Sequence, residues 1–270
     1  MNAPDCAPVT RILAIEGWRV EHHARVGSTN DEARRRALAG DPGRLWIIAD
    51  EQTAGRGRRG RTWSSSPGNL HASALVVEPC ETEIAPQIGF VAGVALRRAV
   101  GDLGAANVAL KWPNDLVSTG AKLAGILVEG FLTPQRRLAV IAGFGVNLAN
   151  SPEGLAYPTT NVGRLLARKI DPSLLMERLA RRFDEALTIW DHGAGFAAIR
   201  ETWLASAAVL GGPIRLSGSR GEREGIFCGL DPQGRLLLRA GDRIETVESA
   251  DLTLISSSAD ADDSARPIHS

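Results

Sequence analysis

Residues 50–63, DEQTAGRGRRGRTW, concentrate positive charge in a chain whose formal net charge is zero. Guanidinium groups combined with flexible, glycine-spaced backbone N–H groups suit a bound phosphate. A nucleic-acid-binding Arg/Gly segment and a solvated surface loop are the alternatives. Because this segment is single and short in a chain with only 5% aromatic residues, we favour a clamp around one small anion. The residues concerned are Arg56, Arg58, Arg59 and Arg61, spaced by Gly55, Gly57 and Gly60.

Lysine is rare in this chain, which makes the positions of its few lysines informative. Of 31 basic residues only three are lysines, and Lys111 and Lys122 lie in LKWPNDLVSTGAKLAGILVEG. A lysine ammonium is a compact charge on a flexible stem, which suits a single phosphate oxygen that moves during a reaction. Asn114 can donate and accept hydrogen bonds, and Asp115 can bring Mg²⁺, hold an incoming amine or cap the turn after Pro113. Two alternatives stay open: that Asn114 and Asp115 only form the turn, and that Lys122 only faces solvent at the end of its strand.

The tripeptide STN, residues 28–30, sits at a predicted junction between a strand and a helix. Thr29 and Glu32 have the spacing of a capping box, and capping alone would account for the hydroxyl groups. The functional alternative is that hydroxyl, amide and backbone N–H groups exposed at this junction bind a small polar group.

Composition limits the class of protein. With 44% hydrophobic and 23% charged residues the chain matches ordinary globular proteins, and its zero net charge argues against a general nucleic-acid coat. No apolar run approaches the ~18 residues that cross a bilayer, so no membrane partner is expected. Cys6, Cys80 and Cys228 are scattered, form no CxxC pair and follow no secretory signature. They indicate reduced thiols in a cytoplasmic protein.

A sheet and a set of helices must position these groups. A mixture of β-branched and polar residues predicts a strand at 18–26. Apolar runs predict strands at 45–50, 69–79 and 108–112 and a hairpin around 133–135. Helical spacing predicts helices from Thr29 to about Ala39, over much of 85–104, and at roughly 173–190 and 196–206. Because βαβ alternation is not strict, we predict an α+β fold with a mixed, largely antiparallel sheet and helices on one side.

After Gly211 and Gly212 the pattern changes to short strands and tight turns, among them DPQG at 231–234. About 45 residues of this kind predict a small β-barrel that docks on the main domain, because so small a unit is weak alone. We therefore expect a main domain over 1–208, a C-terminal barrel over 209–256 and an acidic, disordered tail over 257–270.

Five of these stretches occur together in one family. STN, EQTAGRGRRGRTW, KWPNDL, AKLAGILVE and GFGVNL follow in order at fitting separations, and residues 20–255 resemble biotin protein ligases, the biotin–[acetyl-CoA-carboxylase] ligases. The resemblance implies a class II synthetase/biotin-ligase-like fold with an SH3-like C-terminal barrel. It also implies two reaction steps. Biotin and MgATP give biotinyl-5′-AMP and pyrophosphate, and a lysine of a biotin carboxyl carrier protein then takes the biotin and releases AMP.

The resemblance also implies roles for the motif residues. Those expected at the biotin are Ser28, Thr29, Asn30, Gln52, Arg56, Gly57, Arg58 and Lys122. Those expected at the nucleotide are Arg56, Arg58, Arg61, Trp63, Lys111, Asn114 and Asn147. Catalytic roles fall to Lys122, Arg58 and Lys111, which would balance phosphate charge, and to Asp115, which would orient the acceptor amine or take its proton. ATP and Mg²⁺ are the implied cofactors, with no protein ligand assigned to the metal.

Other functions stay open at this point. A lipoate or octanoate ligase of the same superfamily would share the adenylate chemistry but would need no polar head pocket. An RNA-binding module would use only the arginine-rich segment. Because 27 residues precede Ser28, fewer than a winged helix-turn-helix needs, we expect a monofunctional ligase with no DNA-binding role. A homodimer is left open.

Overall fold

A computed structural model of the chain describes residues 9–15, 17–218 and 221–255. Eight strands of the first 146 residues form one sheet: β1 (Val9–Ile15), β2 (Trp18–Val26), β3 (Leu45–Gln52), β4 (Leu70–Val77), β5 (Ala109–Lys111), β6 (Asp115–Ser118), β7 (Ala121–Leu132) and β8 (Leu138–Val146). Their spatial order is β1-β2-β3-β4-β8-β7-β6-β5. Only the β2–β3 pair among these neighbours is parallel, so the predicted mixed, largely antiparallel sheet is confirmed.

Helices cover both faces of this sheet. They are α1 (Thr29–Leu38), α2 (Ile88–Gly101), α3 (Val162–Leu166), α4 (Pro172–Trp190) and α5 (Phe196–Leu204). The main core joins α2, α4 and α5 to strand residues such as Trp46 and Ala74. A second cluster joins α1, through Ala33 and Ala37, to Ile47 and other strand residues. Successive strand residues point to opposite faces, so α1 is the exception to the expectation that the helices lie on one side.

The start of α1 differs from the predicted capping box. The N-cap residue is Ser28, and its side chain makes no capping hydrogen bond. Glu32 pairs instead with Arg35 and Arg36, one turn along the same helix. Thr29 donates its backbone N–H to Gln52 Oε1 at 2.9 Å, and its hydroxyl lies 3.1 Å from the same oxygen. The prediction of a capping box was therefore wrong, because a tertiary partner on β3 takes the groups that the local motif would use.

A second sheet follows in the C-terminal part of the chain. It contains β9 (Pro213–Gly218), β10 (Gly221–Leu230), β11 (Leu236–Ala240), β12 (Arg243–Val247) and β13 (Asp251–Leu254), in the antiparallel order β12-β11-β10-β9-β13. Within the described residues its edge strands are not paired with each other, so we describe a small sheet and not a closed barrel. Its Phe227 ring lies 6.5 Å from that of Trp203 on α5, and both belong to the main core.

The disordered tail predicted for 257–270 lies outside the described residues. Of the helices in the described part of the chain, none is both long and apolar enough to cross a membrane.

Candidate active site

A cavity of about 70 Å³ lies where the start of α1, strands β7 and β8, and residues 55–63, here called the arginine loop, come together. Most of the residues predicted for the site line it: Ser28, Thr29, Asn30, Gln52, Arg56, Gly57, Arg58, Arg61, Trp63, Asn114 and Lys122. Lys111, Asp115 and Asn147 are not among its lining residues. Together with Gly143, Phe144 and Gly145, these residues bring all five sequence motifs to one space.

One end of the cavity carries a network of uncharged hydrogen-bonding groups. Besides its contacts with Thr29, Gln52 donates through Nε2 to Ser65 Oγ at 3.0 Å. The Ser73 hydroxyl lies 2.7 Å from Thr29 Oγ1 and 2.6 Å from Asn30 Oδ1. Since Thr29, Asn30 and Ser73 are buried, the network fixes their orientation before any ligand arrives.

Glycines of β7 and β8 form the floor of the cavity. A Cβ atom at Gly143 would overlap the Asn30 side-chain amide, and one at Gly145 would overlap the Trp63 indole. At Gly125 it would lie 3.1 Å from the same indole. Because these glycines have no side chain, Trp63 and Asn30 lie directly on the sheet. The Trp63 indole covers the floor, so the volume of the cavity is well below the ~300–1,000 Å³ of typical ligand pockets.

Substituting Gly143 with alanine should disrupt this end of the cavity. The added methyl group displaces the Asn30 amide, which breaks its bonds to Ser73 and Glu129 and leaves buried polar groups unpaired at ~1–3 kcal/mol. The resemblance implies biotin as the ligand, and we expect its affinity, measured by isothermal titration calorimetry, to fall by about tenfold to a hundredfold. Gly130→Ala is the matched control, because a Cβ at this glycine of β7 meets nothing within 4 Å. Equal biotin affinity for Gly143→Ala and the unmodified protein would contradict the placement of Asn30 at the ligand.

The arginine loop is a small hairpin closed by its own backbone. Trp63 N–H donates to Gly55 O at 2.9 Å and Gly57 N–H donates to Arg61 O at 2.7 Å. The tip, a 3-10 turn over Arg58–Gly60, places Arg59 at φ 56°. This geometry projects the arginine side chains from a short turn in several directions.

Arg56 is held at the rim by two carboxylates that the sequence interpretation missed. Its Nη1 donates to Asp31 Oδ2 at 2.7 Å, and its Nη2 lies 3.5 Å from Glu129. The hydrogen bond to Asp31 is the main cause that raises the pKa of Arg56. Glu129 also accepts from Asn30 Nδ2 at 2.7 Å. This carboxylate thus connects the arginine loop to the uncharged end of the cavity.

Arg58 reaches from the loop towards both sheets. Its Nη2 donates to Ser249 Oγ at 3.0 Å, and its Nη1 lies 3.4 Å from both Asn114 Oδ1 and Ala250 O. Burial lowers the pKa of the Arg58 guanidinium, and the positive charges of Arg59 and Arg61 lower it further. The carboxylate of Asp251 opposes this shift. A desolvated cation beside a cavity attracts an anion more strongly than one in water.

Three charged side chains from the two lysine motifs lie together. Lys111 and Asp115 are register partners across the turn at Trp112 and Pro113. Asp115 Oδ1 lies 2.7 Å from Lys122 Nζ, and its Oδ2 lies 3.5 Å from Lys111 Nζ. The Lys122 ammonium also lies 5.6 Å and 5.7 Å from the ring centres of Trp63 and Tyr157. One carboxylate thus holds both lysines, and only Lys122 lines the cavity.

Asn147 is buried and does not border the cavity. Its Nδ2 donates to Thr160 O at 3.1 Å. Its backbone accepts from Val162 N–H at 3.0 Å, so it fixes the segment that carries Tyr157. Asn147 as a nucleotide contact stays a prediction.

Comparison with known proteins agrees with this geometry. Residues 24–147 match the model of the biotin/lipoate A/B protein ligase family. A biotin–[acetyl-CoA-carboxylase] ligase of Paracoccus denitrificans is 40% identical over 237 residues, which cover 85% of this chain and 98% of that one. A biotin protein ligase from Aquifex aeolicus, solved with biotin and ATP, superposes with a TM-score of 0.76 at 27% identity, over 88% of this chain and 99% of that one. A Leishmania major biotin protein ligase in complex with biotinyl-5-AMP gives 0.58 at 26%, over 85% and 98%. The chain therefore belongs to the biotin/lipoate A/B protein ligase family, among its biotin–protein ligases.

Proposed function

We propose that this biotin–protein ligase carries out activation and transfer of biotin in the single cavity described above. The observation that supports this most directly is the meeting of two kinds of groups there. Uncharged donors and acceptors cluster at one end, around Thr29 and Asn30, and the cations Arg58 and Lys122 border the rest. An amphipathic acid with a polar, uncharged head needs the first set, and an acyl phosphate needs the second.

The uncharged end is proposed to bind the ureido ring of biotin. That ring carries two N–H donors and one carbonyl acceptor and has no charge. Amide and hydroxyl side chains both donate and accept, so they match it without an ion to neutralise. Ser28, Thr29, Asn30 and Gln52 supply such groups, and the backbone at Gly57 is the fifth proposed contact.

In the first step the biotin carboxylate attacks the α-phosphorus of ATP. A new C–O–P link forms, the bond to the β-phosphate breaks, and pyrophosphate leaves. Both reactants are anions, so their approach requires positive charge that is already in place. We assign this task to Lys122 and Arg58, which border the cavity. Lys111, Arg56 and Arg61 are proposed to neutralise the remaining phosphate oxygens, and Trp63 and Asn114 to contact the nucleotide.

In the second step the ε-amine of a carrier lysine attacks the acyl carbon, and AMP leaves with the pair of electrons from the broken C–O bond. An amine of pKa ~10.4 is almost wholly protonated at neutral pH and must lose a proton before it reacts. We propose that Asp115 orients this amine and accepts the proton. In support, its carboxylate already binds the ammonium groups of Lys111 and Lys122.

Mg²⁺ is proposed to arrive bound to ATP. Three carboxylates near the cavity, Asp31, Asp115 and Glu129, are each paired with a cationic side chain in the structure. Mg²⁺ is commonly held by phosphate oxygens and water with few protein ligands. The residues present therefore fit a phosphate-borne ion better than a protein cage. A carrier protein as acceptor and action in the cytoplasm, where Cys80 and Cys228 would stay reduced, complete the proposal.

Biotin-dependent exchange of radiolabelled pyrophosphate into ATP tests this function. The unmodified protein should catalyse exchange with biotin and MgATP and should show none when either is omitted. Lipoate and octanoate are the matched controls, because they react through the same carboxylate chemistry without a ureido head. Exchange with lipoate alone would support the neighbouring ligase class, and a complete lack of exchange would refute the proposal.

A further inference from the structure

Three arginines of the arginine loop meet one carboxylate of the C-terminal sheet. Asp251, the first residue of β13, lies 3.0 Å from Arg59 Nη1 and 3.2 Å from Arg61 Nη2. Arg58 Nη1 lies 3.8 Å from it, while the neighbouring Ser249 and Ala250 accept hydrogen bonds from Arg58. These contacts join segments about 190 residues apart in the chain.

Asp251 is fixed in place by its strand. It pairs in register with Ser217 of β9, and the residues on either side of it, Ala250 and Leu252, are buried in the main core. A charged group on such an element keeps its position more closely than one on a loop. The carboxylate can therefore act as a fixed partner for the arginine side chains of the loop.

The tip of the arginine loop needs such a partner. Arg58, Arg59 and Arg61 bring three positive charges into four residues, and the hairpin itself is closed by few backbone bonds. Like charges at this distance repel one another, and burial of Arg58 adds to the cost. A single negative group shared by all three guanidiniums offsets that repulsion.

We propose that Asp251 is a positioning residue that holds the arginine loop over the cavity and orients Arg58 towards the acyl phosphate. This deepens the proposed function and rests on it for the identity of the ligand. It gives the C-terminal sheet a defined task in retention of the adenylate. Asp251 itself touches no substrate and acts through the three arginines.

Hydrogen exchange in the ligand-free protein tests directly whether Asp251 holds the arginine loop in place. We expect Asp251→Asn to speed exchange of the Gly57, Arg61 and Trp63 amides by about tenfold at low salt, because exchange follows the population of the open loop. Asp251→Glu keeps the charge and should restore most of the protection. High salt should reduce the difference between the Asn variant and the unmodified protein, since it screens exposed pairs.

Glu245→Gln is the matched control, because it removes a carboxylate of the same sheet that pairs with Arg223 and not with the arginine loop. It should leave exchange of the loop amides unchanged, with all variants melting at similar temperatures. Equal loop exchange in Asp251→Asn and the unmodified protein would overturn the proposal.

The second measurement is the rate at which preformed biotinyl-5′-AMP dissociates. We expect about a tenfold faster release from Asp251→Asn and near-normal release from Asp251→Glu and Glu245→Gln. A loop that opens in Asp251→Asn while adenylate release stays unchanged would overturn the positioning role. If the unmodified protein forms no biotinyl-5′-AMP, the proposed function fails, whereas the hydrogen-exchange result still decides whether Asp251 holds the loop.

Discussion

Replacing Lys122 with alanine is expected to lower the rate of biotinyl-5′-AMP synthesis by ~10²–10³-fold, the range for loss of one preorganised group that stabilises transition-state charge. Lys122 is the lysine that lines the cavity, and its ammonium lies 5.6 Å and 5.7 Å from the centres of the Trp63 and Tyr157 rings. Its removal takes away a compact positive charge at the point where two anions must meet. The fold should survive, because Asp115 keeps Lys111 as a partner.

The measurement is single-turnover formation of biotinyl-5′-AMP, with thermal melting recorded in parallel. Lys169→Ala is the matched control: it removes another of the three lysines, from an exposed position outside the cavity. It should retain full activity. Lys122→Arg should recover little, since a planar guanidinium does not fit the space of an ammonium held by Asp115. An unchanged rate in Lys122→Ala would remove this residue from the reaction.

Replacing Arg58 with glycine should make the protein release biotinyl-5′-AMP before the biotin is transferred. A charge-assisted hydrogen bond to the phosphate contributes about 1.5–3 kcal/mol, so its loss should speed dissociation of biotinyl-5′-AMP by roughly tenfold to a hundredfold. The released anhydride then reacts with any exposed amine. Lysines of unrelated proteins should therefore become labelled with biotin.

Labelling of an added bystander protein, detected with streptavidin, measures this leak. Arg59→Gly serves as the matched control, because Arg59 is the adjacent arginine but does not line the cavity. It also sits at φ 56°, a conformation that glycine adopts without strain. We expect weaker bystander labelling from Arg59→Gly than from Arg58→Gly. Unlabelled bystanders with Arg58→Gly would contradict the role of Arg58 in retention.

Much of the sheet and of the site could be predicted from local sequence. Strands β3, β4, β7 and β8 follow apolar runs, and the residues that line the cavity, apart from Tyr157, belong to motifs of three to fourteen residues. Lys111 and Asp115 face each other because the three residues between them, Trp112, Pro113 and Asn114, turn the chain back on itself. These features depend on short-range spacing, which a sequence records directly.

What the sequence could not predict depends on contacts between distant segments. The capping box at Thr29 and Glu32 was a sound local expectation, but Gln52 on β3 binds Thr29 instead. Asp31, Glu129 and Asp251 carry no motif of their own, and only the fold brings them to the arginine loop. The face of the sheet that α1 covers could not be predicted either, because β3 and β4 are apolar on both faces. Their successive residues alternate between the two cores, and only the folded sheet shows which core contains α1.

The glycines on one side of the cavity restrict how substitutions can change the acyl group that the protein prefers. At Gly143 and Gly145 even a methyl group would collide with Asn30 or Trp63, so small substitutions there cannot widen or narrow the space gradually. A shift towards another acid must come from side chains that approach from α1 and β3. Because Ser73 contacts both Thr29 and Asn30, such changes would have to occur in matched pairs.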